Sequence, residues 1–164
     1  MVAGPRMNEP RLEPDVTATL DENAAVTRVR DCLSRQQLLT TLGVEIVELA
    51  SGRVVLDLPV RPEVTQQNGF VHAGAITTLA DSAAGAAALS LMPDGKDVLS
   101  VEFKVNLLSP GVGDRLRATA TVVRAGRTIT VVNAVVEALT TAQQPGTGKQ
   151  VALMQGTMIA LDRP

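Results

Sequence analysis

The run from Ala73 to about Leu91 constrains the fold of this chain more than any other stretch. It is rich in Ala, Gly, Ser and Thr, and Pro93-Asp94-Gly95 closes it, so the spacing predicts one long helix. Small side chains let neighbouring backbone approach closely, which suits a helix enclosed by a curved sheet. One carboxylate, Asp81, interrupts the run. Such a group is costly to keep in apolar surroundings for packing alone.

Strand patterns flank that helix on both sides. Val44 to Leu49 and Arg53 to Val60 are β-branched runs separated by Ser51-Gly52, the pattern of a hairpin. Pro59 and Pro62 close the second run. Beyond the helix, Val98 to Leu108 alternates, with Val101, Phe103, Val105 and Leu107 on one face and Ser100, Glu102, Lys104 and Asn106 on the other. Arg115 to Arg124 and Thr128 to Leu139 flank the turn Ala125-Gly126-Arg127, and Val151 to about Leu161 forms a last strand. Ahead of all this, Asn23 to Leu42 carries a helical period ended by Gly43, and residues 1–22 read as a disordered tail rich in Pro, Glu, Asp and Thr. The expected order is helix, β, β, long helix and four strands. That is an α+β domain over residues 23–164, one central helix against a mostly antiparallel sheet of five to six strands.

Composition removes several functions. With 164 residues and 45% hydrophobic content, one soluble domain with a real core is expected. Two Phe, no Trp and no Tyr leave no stacking platform for single-stranded nucleic acid, and a net charge of −2 leaves no basic footprint for DNA. The single Cys32 permits no intrachain disulfide, and no Cys/His cluster suggests a metal. No stretch reads as a membrane span, and Glu9, Glu13, Asp15 and Asp21 break up any leader pattern. The expectation is a cytoplasmic protein without nucleic-acid or membrane partners.

Chemistry concentrates at the start of the long helix. The polar loop from Gln66 through Asn68 and Gly69 delivers the only histidine, His72, to the first turn at Ala73-Gly74. Helix starts gather free backbone N–H groups, a place for a developing oxyanion, and Asp81 supplies a base. Ordinary readings exist for each residue. Asp81 can cap a second helix segment broken at Ala80-Asp81-Ser82, and His72 can be a satisfied loop histidine. Gln66 and Asn68 are common turn residues, Ser100 can be the solvent-side neighbour of Val101, and Arg127 a solvated charge. Cys32 reads as a buried or idle thiol.

Taken together, Gln66, Gly69, His72 and Asp81, nine residues beyond the histidine, resemble the motif of the hotdog-fold thioesterases, specifically the PaaI-like acyl-CoA thioesterases; Ser100 in Leu99-Ser100-Val101-Glu102 matches a later polar position. The resemblance covers about Leu38 to Leu161. It implies a sheet wrapped around one long helix and hydrolysis of a small aryl- or medium-chain acyl-CoA, with no cofactor beyond the CoA of the substrate. The family's usual Gly after the His is Ala73 here. A backbone N–H in a helical first turn survives that change, so activity is expected to persist with an altered substrate scope.

Ala73 and Asp81 lie eight residues apart, about 12 Å on one helix. One carbonyl cannot touch both, so either the helix breaks or a second copy completes the site. The resemblance implies the latter: an obligate homodimer, often paired into a tetramer. The Ala73 and Gly74 N–H groups and Gln66 would hold the thioester oxygen, and the partner's Asp81 would act as general base or nucleophile. Ser100 would position the water or the acid, His72 would orient the loop, and Asn68 and Gly69 would shape the substrate-binding loop. Arg127 and Arg124, with Arg61 behind them, would meet the CoA phosphates. Pocket walls are expected from Val71, Ile76, Leu79 and the Val98–Leu108 strand. A hydratase on the same fold lacks its signature here. A non-catalytic acyl-CoA sensor would normally add a DNA-binding helix-turn-helix, and residues 1–42, with five Arg against six Asp and Glu, offer no such module.

Overall fold

The computed structural model describes residues 16–142 and 147–163, with side chains from Asn23 onward. Two helices open the chain, α1 (Val16–Ser34) and α2 (Gln37–Leu42). The hairpin β1 (Glu45–Ala50) and β2 (Arg53–Pro59) follows, then a single 3-10 turn at Pro62–Val64 and the long helix α3 (Ala73–Leu89). Four strands complete it: β3 (Lys96–Leu107), β4 (Arg115–Ala125), β5 (Ile129–Leu139) and β6 (Lys149–Asp162). All six strands form one antiparallel sheet in the order β1-β2-β4-β5-β6-β3. This is the expected α+β architecture.

α3 packs against β2, β3, β4, β5 and β6, and its small residues make that possible. Ala80, Ala83, Ala84, Ala87 and Ala88 have no exposed surface, and neither do the facing Leu56, Leu58, Leu116, Val132 and Val136. At its far end Ser90 Oγ accepts from the Gly52 N–H at 2.7 Å and donates to Ala87 O at 2.7 Å, clipping the β1–β2 turn to the helix. Gly52 takes φ 73°, which a turn of this kind demands.

Two expectations need correction. The helical pattern of residues 23–42 is not one helix. It begins earlier, at Val16, and is divided at Arg35-Gln36, where Gln36 turns extended (φ −81°, ψ 101°) before α2 starts. Ser34 Oγ and Arg35 Nε both donate back to Asp31 O, at 3.0 and 3.2 Å, occupying a carbonyl of the final turn. No Gly or Pro marks that break. The tail expected over residues 1–22 therefore overlaps α1, and residues 1–15 lie outside the described residues.

The second correction concerns β3. Its alternation suggests one buried face, yet the strand sits at the sheet edge with Leu99, Val101, Phe103 and Leu107 all exposed, at 42–58%. A bulge at Val101 interrupts its pairing with β6, between Ser100 and Glu102. Among the described residues, no helix is long and apolar enough to cross a membrane, and no group of His, Cys, Asp and Glu is arranged to hold a metal ion.

Candidate active site

The loop before α3 is fixed by its own backbone. Gln66 N–H donates to Phe70 O at 2.8 Å and Gly69 N–H to Gln66 O at 2.9 Å, closing a tight turn in which Gly69 takes φ 81°. Val71 N–H reaches Gly111 O at 3.1 Å and His72 N–H reaches Val64 O at 2.9 Å, while Val64 and Val71 are buried. His72 is thereby delivered as the N-cap of α3, with φ −62° and ψ 138°. Its Nδ1 accepts from the Gly74 N–H at 2.9 Å, so the proton of the neutral ring lies on Nε2.

That cap decides between two candidate donors. Gly74 has spent its N–H on His72. The Ala73 N–H has no acceptor among the described residues, and Ala73 lines a cavity of 590 Å³. Gln66 lines the same cavity. Its Oε1 accepts from the Asn68 N–H, which leaves the amide Nε2 as its free donor end. Asn68 and Gly69 shape the turn and do not line the cavity. Val71, Ile76, Leu107 and Leu108 do line it, as expected of the pocket walls, whereas Leu79 is wholly inside the core.

Asp81 lies elsewhere. α3 runs unbroken through Ala80-Asp81-Ser82, which removes the capping reading, and the half-buried carboxylate faces β3. Ser100 Oγ donates to Asp81 Oδ1 at 2.7 Å, so strand and helix jointly orient the acid. Met158 Sδ lies 3.3 Å from the same hydroxyl. A second cavity, of 200 Å³, opens beside this pair and is lined by Asp81, Ser82, Gly85, Ala86, Val98, Leu99 and Ser100, with Cys32 and Gln36 from the N-terminal helices. Cys32 reads from the sequence only as a buried or idle thiol, and Gln36 is not singled out there; both line this cavity. The helical period of the sequence, which puts positions 32 and 36 beside the buried Val29 and Leu33, was the available signal, although α1 itself ends at Ser34.

The structure thus brings together Gln66, His72 and Ala73 in one cavity, and Asp81 and Ser100 in another. Arg124 and Arg127 are exposed at the β4–β5 turn and line neither. Strand register, Ile129 to Ile159 and Ile159 to Leu99, puts that turn at the end of the sheet that holds Ser100. Arg61 is committed to structure: its Nη2 donates to Thr41 O at 2.5 Å.

Comparison with known proteins meets this geometry. Residues 68–143, from the helix-start loop through β5, match the thioesterase superfamily. A thioesterase family protein of Silicibacter pomeroyi superposes with a TM-score of 0.79 at 44% identity, over 85% of this chain and 99% of that one. The chain belongs to the thioesterase superfamily. This superfamily member is also 35% identical over 95 residues to the 1,4-dihydroxy-2-naphthoyl-CoA hydrolase of Listeria monocytogenes, covering 57% of this chain and 76% of the relative. The PaaI protein from the phenylacetic acid degradation operon of E. coli shares its fold, with a TM-score of 0.74 at 23% identity over 85% of this chain and 95% of that one. Superfamily membership and these relatives support thioester hydrolysis as the general chemistry.

Proposed function

We propose that this superfamily member hydrolyses acyl-CoA thioesters of small aryl or medium-chain acids, as a homodimer with two shared sites. One observation carries the reading. α3 is unbroken from Ala73 to Leu89, so its free N–H and its carboxylate stand about 12 Å apart and cannot act on one carbonyl. Each half is complete in itself and lacks what the other holds. Two antiparallel copies of α3 would bring the start of one beside Asp81 of the other. The exposed apolar edge of β3 supports such a partner, since an unpaired edge strand is a ready template for a second chain. Further pairing into a tetramer is the expectation of the resemblance.

In this reading the Ala73 N–H and the Gln66 amide hold the thioester oxygen, and the helix start adds partial positive charge as the oxyanion forms. The partner's Asp81, held by Ser100, takes the proton of a water that attacks the carbonyl carbon, or attacks it directly to form an anhydride that water then opens. In both routes the carbon–sulfur bond breaks, the thiolate of CoA leaves and is protonated, and the acid is released. His72 serves as cap rather than base, because its Nδ1 is occupied by Gly74.

Hydrolysis of a panel of acyl-CoA thioesters, followed by thiol release, tests the proposal. Wild type should turn over at least one member, and the near-isosteric Asp81→Asn should lose a hundredfold or more, about 2.7 kcal/mol of barrier. Tight binding of acyl-CoA without turnover would replace the enzyme by a sensor.

A further inference from the structure

The cavity beside Asp81 is small, and its outer wall comes from residues that precede the segment matched to the superfamily. Of its lining, Val98 and Leu99 come from β3 and Gly85 lies one turn beyond Asp81 on α3. Cys32 and Gln36, which close the far side, lie before residue 68. Helix α1, which supplies Cys32 and ends two residues before Gln36, is firmly placed. Val29 and Leu33 of the same face are 1% and 4% exposed. Arg28 also ties α1 to the end of α3, donating to Leu89 O at 3.1 Å and Met92 O at 2.5 Å and pairing with Asp94 at 2.5 Å. Gln36 Nε2 lies 3.9 Å from Cys32 Sγ, so the two wall residues touch. At 200 Å³ the space is ring-sized, since an apolar cavity of ~150 Å³ accepts a benzene ring. Gly85 keeps it open: a Cβ there would meet nothing nearer than Val98 Cγ1 at 4.0 Å.

We propose that this cavity receives the acyl group, and that Cys32 and Gln36 of the N-terminal helices, with Gly85, set its permitted size at about one aromatic ring. The inference rests on the thioesterase reading. CoA would then leave along the larger cavity at the partner's helix start, and only the acyl end would reach the wall made by α1.

The sole cysteine makes the test direct, because any thiol label on this chain reports on that wall. Alkylation of Cys32 by N-ethylmaleimide is followed in wild type with saturating S-(2-phenylethyl)-CoA, a thioether that cannot be hydrolysed, and with desulfo-CoA, which carries no thiol to consume the reagent. The thioether should slow labelling tenfold or more and desulfo-CoA less than twofold. Equal protection by both, or none from a thioether that calorimetry shows to be bound, overturns the inference and leaves the thioesterase reading standing. A thioether that does not bind at all, with no turnover of any thioester, overturns that reading instead.

Selectivity supplies the second readout. Gly85→Ala adds a methyl to the cavity and improves the helix, so it should fold at least as well as wild type. It should lower kcat/KM for phenylacetyl-CoA tenfold or more relative to acetyl-CoA. Gln36→Ala should raise decanoyl-CoA relative to phenylacetyl-CoA by a similar factor. A uniform fall across all acyl groups in both variants means a merely structural role, and refutes the assignment.

Discussion

At the scale of single residues, the helix start offers a substitution that removes one donor and nothing else. Ala73 is the first helical position, where proline is favoured because its missing N–H has no helical partner to lose. The preceding His72 already holds φ −62° and ψ 138°, the extended backbone that a following proline requires. Ala73→Pro should therefore keep the fold and lower kcat by a hundredfold to a thousandfold, the cost of one oxyanion donor at about 2.7–4 kcal/mol. Unchanged kcat with an intact melting temperature would mean that this N–H does not meet the oxyanion. His72 separates along the same logic. His72→Ala should cost about 1 kcal/mol of stability through the lost cap, visible in urea unfolding, and His72→Asn should restore it, since Asn caps well. Activity that Asn failed to recover along with stability would point to a base instead.

Among the elements, β3 carries the sharpest tension between sequence and structure. Its alternation is real, but the strand is at the sheet edge, so apolar side chains that look destined for a core are exposed in the single chain. Lysine on an edge strand is a standard block to pairing. The double variant Val101→Lys, Phe103→Lys should sediment as a monomer with native circular dichroism and with hydrolysis reduced a hundredfold or more. A monomer retaining full activity would sink the shared site. The strands and α3 were legible because β-branched runs, turn residues and a small-residue helix each follow a local rule. The break at Arg35-Gln36 was not, because it rests on side chains folding back onto Asp31 O and leaves no Gly or Pro behind. The site was half legible: the loop, His72 and Asp81 follow from spacing. The pairing of Ser100 with Asp81 across the fold came only through the resemblance, and Cys32 with Gln36 reach the same cavity by tertiary packing alone.

On the scale of the whole molecule, Asp114 joins parts distant in sequence. Its N–H donates to Leu139 O at 2.8 Å and its carbonyl accepts from Val60 N–H at 2.9 Å, joining β5 to the end of β2. Its carboxylate accepts from both the hydroxyl and the N–H of Thr141, each at 2.6 Å, and these bonds hold its pKa below the ordinary carboxylate value. A carboxyl lowered by folding contributes in full above the unfolded value and loses that contribution as pH falls through the folded one. Wild type should accordingly be more stable than Asp114→Asn at neutral pH, with the gap closing as the medium is acidified below the carboxylate range; a gap that stays constant in acid would contradict the clamp. The unbroken α3 has a wider consequence. Two defective genes, one encoding Ala73→Pro and the other Asp81→Asn, would each yield an inactive protein, yet their products, co-expressed and assembled at random, would regain roughly a quarter of normal turnover, because about half the pairs are mixed and each mixed pair owns one intact site of two. In the proposed dimer, rescue between alleles would follow from the length of one helix.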